Sequence, residues 1–220
     1  VNTGLVRYLD ISSDQICFVY GEDIWLLPVD GGTATALTNS QGEVSWPKFS
    51  PDGQHIAFTA DYNGNDDIYI LPVTGGIPQR VTYNSFSDRM VDWHPSGEKI
   101  IFASKRESGR QSFSQFYEVS IEGGLPVKLP IPYGEIASFS PDGNRLAYIT
   151  RITENYPFKR YRGGLTSDII IYDFRKKQTE RITENPAIDG KPAWSGNTLY
   201  FVSDRDEKMR LNLWAYDTES

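Results

Sequence analysis

Trp46-Pro47-Lys48-Phe49-Ser50-Pro51-Asp52-Gly53, followed by the apolar run Ile56-Ala57-Phe58-Thr59, decides how this chain is read. Pro-Asp-Gly supplies a fixed φ, a side chain that bonds its own backbone and a left-handed position, so the chain reverses there. The β-branched and aromatic residues on either side suit half-buried pleated strands. Downstream, the polar loop Asp61-Tyr62-Asn63-Gly64-Asn65-Asp66-Asp67 leads into Ile68-Tyr69-Ile70-Leu71, then Gly75-Gly76 and a last run ending Val81-Thr82. Gly-Gly permits a second tight reversal. The segment from Trp46 to Thr82 therefore reads as four short antiparallel strands.

Working outward, the unit recurs. Ser50-Pro51-Asp52-Gly53 is answered 44 residues on by His94-Pro95-Ser96-Gly97, 46 later by Ser140-Pro141-Asp142-Gly143, and 55 later by the degenerate Ser195-Gly196-Asn197. The third strand recurs at Ile24-Trp25, Ile68-Tyr69, Phe116-Tyr117, Ile169-Ile170 and Leu213-Trp214. Phe49, Trp93, Phe139 and Trp194 precede the turns, where an innermost strand packs on its neighbours. Five copies at this period predict an all-β fold, a β-propeller with five four-stranded blades in a single domain over 1–220. The blades run about 5–38, 44–82, 89–129, 135–183 and 191–217, and the last is short of a fourth strand. One blade cannot bury both of its faces, so the copies must stack. No stretch keeps a period of 3.6 with caps, so no helix is expected. Residues Val1 to Gly4 are a candidate closing strand for a closed five-bladed ring, the arrangement favoured over an arc of a six-bladed one.

The pattern Phe-Ser-Pro-Asp-Gly, Ile-Ala-Phe, Asp-Ile-Tyr, Gly-Gly, Leu/Val-Thr resembles the WD40-like propeller repeats of the TolB and tricorn protease families. Tyr8-Leu9-Asp10-Ile11 with Phe18-Val19-Tyr20 and Asp23-Ile24-Trp25 is similar to the first blade of the N-terminal tricorn propeller. Lys159-Arg160-Tyr161-Arg162-Gly163-Gly164 and Phe201-Val202-Ser203-Asp204-Arg205-Asp206 extend the likeness through the fourth and fifth copies. The resemblance implies a non-catalytic, substrate-gating or peptide-binding part of a serine peptidase whose catalytic residues lie in a separate region. The competing expectation is a TolB-like protein-protein interaction module unrelated to proteolysis. A third, a sugar or small-molecule enzyme, would want convergent carboxylates or histidines, which the sequence does not gather.

Composition narrows the partners. The 220 residues are 39% hydrophobic and 13% aromatic, enough for a sizeable core, and carry a formal net charge of −7. That balance argues against nucleic acid, which needs a basic face, and against an anionic membrane surface. No run approaches the length of a membrane-spanning helix. Cys17, the one cysteine, lies in the alternation Ile16-Cys17-Phe18 and reads as a buried structural thiol. No signal peptide is visible, and the opening Val1 rather than Met points to trimming; the compartment stays open.

The candidate sites follow. His55 and His94 both fall at repeat turns, away from any serine elbow, so no catalytic constellation is expected. Asp61-x-Asn63-x-Asn65 has the alternating oxygens of a calcium loop but lacks its glycine and terminal glutamate, so it reads as a polar hairpin tip. No metal or cofactor is expected. The basic, aromatic-interleaved stretch Lys159, Arg160, Tyr161 and Arg162 could bind an acidic peptide end or dock a neighbouring domain; its plainer account is a solvated loop. Propeller geometry puts Arg7, Glu43, Asp88, Arg89, Glu135, Asp189 and Lys191 on the loops entering the innermost strands. In tricorn-type enzymes the first propeller lies on the path of peptides, and basic groups there hold a carboxyl terminus. The resemblance thus implies that role for Arg89, beside Asp88; its plainer account is a surface arginine bonded to Asp88 or to nearby carbonyls. The expected partners are a peptide or protein and further domains of the same polypeptide.

Overall fold

The computed structural model describes residues 5–39, 42–109, 113–152, 162–164 and 166–219. The candidate closing strand at residues 1–4 and the loop residues Lys159, Arg160 and Tyr161 lie outside them. Among the described residues there is no α-helix, and nineteen strands form five antiparallel sheets. The first sheet is β1 (Arg7–Ile11), β2 (Gln15–Tyr20), β3 (Asp23–Pro28) and β4 (Thr35–Ala36). The second is β5 (Val44–Phe49), β6 (His55–Asp61), β7 (Asp66–Pro72) and β8 (Gln79–Arg80). The third is β9 (Asp88–Trp93), β10 (Lys99–Ser104), β11 (Gln115–Ser120) and β12 (Val127–Lys128). The fourth is β13 (Ile136–Phe139), β14 (Arg145–Ile149), β15 (Ile170–Asp173) and β16 (Gln178–Arg181). The fifth has three strands, β17 (Asp189–Ser195), β18 (Thr198–Ser203) and β19 (Asn212–Asp217). Strand order follows chain order in every sheet, as in the blades of a β-propeller.

The chain forms two compact units, residues 1–110 with 117–129, and residues 111–116 with 130–220. In the first, the innermost strands β1, β5 and β9 pack side by side; in the second, β13 and β17 do. Two tryptophans at the ends of these strands tie each to the one before. Trp93 Nε1 donates to the Lys48 carbonyl at 2.9 Å, and Trp194 Nε1 to the Ser138 carbonyl at 3.1 Å. Between sheets the core is aliphatic and aromatic: Ala57, Ile68, Ile70, Met90, Trp93, Ile100 and Phe102 form one cluster of the first unit.

The turns work as their residues demand. Ser50 Oγ donates to Asp52 Oδ1 at 2.5 Å and accepts from the His55 amide at 2.9 Å, while Gly53 takes φ +69°. Ser140 repeats this with Asp142 and the Arg145 amide, at 2.6 and 2.9 Å. The Ser140 and Asn144 bonds hold the Asp142 carboxyl down at about 2. In the third sheet His94 takes the serine's place, its Nδ1 2.9 Å from Ser96 Oγ. His94 is thereby a turn residue, and His55 is exposed at the head of β6.

Gly134 marks the tightest close approach in the second unit. A β-carbon there would lie 2.1 Å from Phe116 Cε2, and Phe116 is fully buried against Tyr148. Gly134→Ala is therefore expected to destabilise the chain by about 1–3 kcal/mol, the usual cost of overpacking, read as a lower urea midpoint. Adding Phe116→Leu should recover part of the loss.

Candidate functional site

The innermost strands are not regular. In β1, Arg7 pairs with Val19 and Asp10 with Cys17; in β5, Ser45 pairs with Thr59 and Lys48 with Ala57; in β17, Gly190 pairs with Val202 and Ala193 with Tyr200. Each strand thus sets two residues against one of its partner, a β-bulge. The first bulged residue is left-handed in all three: Tyr8 at φ 53°, Trp46 at 54° and Lys191 at 51°. Such a φ is costly for a side chain with a β-carbon and re-aims it away from the strand's alternation.

In the first unit the re-aimed rings meet. Tyr8 and Trp46 lie with centroids 4.6 Å apart, tilted by 41°. The Arg89 guanidinium lies over Trp46, 5.1 Å from its centroid, and Arg7 flanks Tyr8 at 5.8 Å. The result is a ladder, Arg7–Tyr8–Trp46–Arg89, spanning three consecutive innermost strands. Both rings are half-buried and Arg7 is exposed. Such a stack holds a guanidinium by its face.

Further along the same strands a second tie forms. Asp10 binds Lys48 Nζ at 2.9 Å and accepts the Phe49 amide at 2.8 Å. Burial alone would lower the Lys48 pKa, but the charges of Asp10 and Asp92 outweigh it and the pKa rises. This tie fixes β1 against β5 and so holds the ladder in register. Cys17, next to it, is fully buried, its thiol pushed up to about 12 by burial first and by Asp10 second. It is inert.

The structure separates the residues that the sequence had placed together. Arg7 and Arg89 share the ladder. Asp88 does not: it is fully buried at the head of β9, and Arg106 Nη2 donates to both of its oxygens at 2.8 and 2.6 Å. Asp88 and Arg89 are adjacent in a strand, so their side chains leave by opposite faces. The partner that neutralises Asp88 is Arg106. Arg106 also lies over Phe102 and Tyr117, 4.9 and 5.0 Å away, and its Nε donates to Ser104. The fifth sheet repeats the set: Arg205 pairs with buried Asp189 at 3.0 Å, donates to Ser203 and lies over Phe201 and Trp214. Both sets read Phe-x-Ser-x-Arg in sequence, a signal that would have identified them. In the second sheet Val44, Ala60 and Tyr62 stand in the corresponding places, and Tyr62 packs on Phe58 and Tyr69. Of the basic loop, Arg162 is described. It donates to the Asp204 carboxylate at 2.8 Å and to its carbonyl at 2.9 Å, anchoring the insertion to the fifth sheet. Among the described residues no group of three His, Cys, Asp or Glu could hold a metal.

The family model described as the tricorn protease N-terminal beta propeller domain matches residues 3–220. The chain belongs to that family. Tricorn protease homolog 1 of Streptomyces coelicolor is 27% identical over 214 residues, covering 91% of this chain and 19% of the relative. The solved tricorn protease superposes with a TM-score of 0.83 at 24% identity, over 97% of this chain and 21% of that one. A TolB-type protein from Agrobacterium tumefaciens has the same fold, with a TM-score of 0.78 at 19% identity over 98% of this chain and 78% of its own. The chain thus spans about a fifth of the length of these two tricorn relatives.

The buried Asp88 generates a direct test. Arg106→Met leaves a carboxylate without its partner in a site of no solvent exposure, at a cost of about 3–5 kcal/mol. Combining it with Asp88→Asn should restore most of the stability. Chemical denaturation of the single and double variants measures both, and equal loss in the two would contradict the pairing.

Proposed function

We propose that this chain acts as a non-catalytic part of a tricorn-type serine peptidase and binds the carboxyl-terminal end of peptides on the Arg7–Tyr8–Trp46–Arg89 ladder. The observation that supports it is the Arg89 guanidinium lying over the Trp46 ring, 5.1 Å from its centroid. A carboxylate reaching this guanidinium accepts charge-assisted hydrogen bonds from it, and the last side chain of the peptide meets Trp46 and Tyr8. Arg7 adds a second positive charge at the far end. Further domains of the same polypeptide would supply the catalytic groups; the propeller would hold and orient the chain end. The family membership supports the setting, and the geometry supports the ligand chemistry.

A protein-docking role is favoured by a different observation. Ile77 and Leu125 follow Gly75-Gly76 and Gly123-Gly124 at matching places in neighbouring sheets and are 92% and 93% exposed. Such a partner would ignore the ladder.

Randomised octapeptide pools with free or amidated carboxyl termini separate the two in equilibrium dialysis. Amidation and Arg89→Ala should each weaken retention about tenfold or more, the scale of a charge-assisted bidentate contact, and together should do no worse than either alone. Arg89→Lys should recover only part, since an ammonium lacks the planar fork. Retention unchanged by both amidation and Arg89→Ala would overturn the proposal, and a loss confined to Ile77→Ser and Leu125→Ser would favour the docking role.

A further inference from the structure

Arg145 opens β14 and stands opposite Asp173 at the end of β15, with Ile171 two residues earlier on the same face. That face meets the fifth sheet: Ile171 shares a cluster with Leu199 and Phe201, and Trp194 and Tyr216 pack against it. Beside this core lies a cleft of ≈ 490 Å³, lined by Arg145, Arg175 and Lys176 together with Asp142, Asp173 and Glu180. Its charged residues come from the turns and strands of the fourth sheet, within one compact unit of the chain.

The charges of these six residues cancel, but their hydrogen bonds are unevenly shared. Asp142 accepts on both oxygens from its own turn: Ser140 Oγ and the Asn144 amide reach Oδ1 at 2.6 and 3.1 Å, and Asn144 Nδ2 reaches Oδ2 at 2.6 Å. Asp173 Oδ1 accepts the amides of Arg175 and Lys176 at 2.9 and 2.8 Å, and its Oδ2 stands 3.8 Å from Lys176 Nζ. These two carboxylates are taken up in shaping turns.

The cations keep their donors. The Arg145 guanidinium lies over Trp194, 4.7 Å from the ring centroid, and donates no hydrogen bond among the described residues. Arg175 commits only Nε, to Asn144 Oδ1 at 2.9 Å. The Lys176 side chain is 75% exposed. Against them stands Glu180 on β16, an exposed carboxylate paired through its backbone with Ile171. The cleft is rich in donors and short of acceptors.

We infer that this cleft binds a small phosphomonoester, whose phosphoryl oxygens meet the guanidinium groups of Arg145 and Arg175 and the ammonium of Lys176. A surplus of donors asks for a ligand rich in acceptors, and a phosphoryl group offers three strong acceptor oxygens where a carboxylate offers two. Guanidinium forks match phosphate geometry, and the ring beside Arg145 limits the freedom that it would lose on binding. The volume suits a small molecule, and the formal net charge of −7 disfavours a nucleic acid as the source of the phosphate. Tyr216 offers an apolar wall to the rest of the ligand. This inference rests on the fourth and fifth sheets and is independent of the peptide-binding role proposed for the ladder.

The isotope-labelled chain titrated with phenyl phosphate, inorganic phosphate and benzoate tests it, followed through the arginine Nε–H and Trp194 indole signals. Phenyl phosphate should move the Arg145, Arg175 and Trp194 signals and bind more tightly than either of the other two. Arg145→Gln and Lys176→Gln should each weaken it about tenfold or more, the scale of a hydrogen bond to a charged group, whereas Glu180→Gln should tighten it. Lys176 is exposed, so its variant should keep the thermal midpoint and its loss of binding cannot be assigned to unfolding. Affinity for phenyl phosphate that survives both Arg145→Gln and Lys176→Gln would overturn the inference. So would benzoate binding equally well, which would make this a carboxylate site, or inorganic phosphate binding equally well, which would make the free ion the ligand.

Discussion

Every sheet of this chain that is flanked on both sides must bury both of its faces, and the rest of the structure follows from that constraint. The interior positions of β6 and β7 are buried without interruption, with none of the alternation of a half-solvated sheet. A lone sheet of this kind would expose apolar surface on one side, so each needs a neighbour on either face. The innermost strands pack side by side, and the tryptophans at their ends are large enough to reach a carbonyl of the preceding innermost strand. Trp93 and Trp194 do so with their indole N–H groups, which gives the stack a polar as well as an apolar joint.

That crowding accounts for the candidate site. Three of the innermost strands, β1, β5 and β17, set two residues against one with the first left-handed, and the φ at Tyr8, Trp46 and Lys191 stores about 1–3 kcal/mol at each position. The surrounding sheets hold it. In return, two aromatic rings leave the strand's alternation and stack where regular strands would have directed them apart. Arg89 completes the stack because Asp88, its neighbour, is committed elsewhere. A buried carboxylate needs a partner, and Arg106 supplies it from the loop after β10. The buried Asp88–Arg106 pair and the half-buried Arg89 over Trp46 are thus two outcomes of one strand's period of two.

The sequence made the sheets legible because their signals are local. Pro-Asp-Gly and Gly-Gly act within four residues, and the structure shows the hydrogen bonds those residues dictate at Ser50, Ser140, Gly75 and Gly123. His94 in place of serine was also legible as a turn. The tricorn resemblance, carried by the same motifs, agrees with the family. Less was legible of the site. Arg7 and Arg89 were named for their position, but Tyr8 and Trp46, which join them, were not. Trp46-Pro47 and Lys191-Pro192 stand in the same frame before their turns, and a proline inside a strand marks a bulge. The partner of Asp88 lies eighteen residues away across a hairpin, so only the pairing of strands reveals it. Arg162 illustrates the converse: a basic loop residue with every mark of a contact group is held inward by Asp204.

The claim that matters most is that a peptide's carboxyl end meets the rings that the bulges re-aim. Intermolecular nuclear Overhauser effects between a bound peptide and the tryptophan side chains would test it most directly. The account predicts contacts from the last peptide residue to the Trp46 indole and the Tyr8 ring. Contacts confined to Trp25, Trp214 or the outer loops, with Trp46 and Tyr8 untouched, would contradict it.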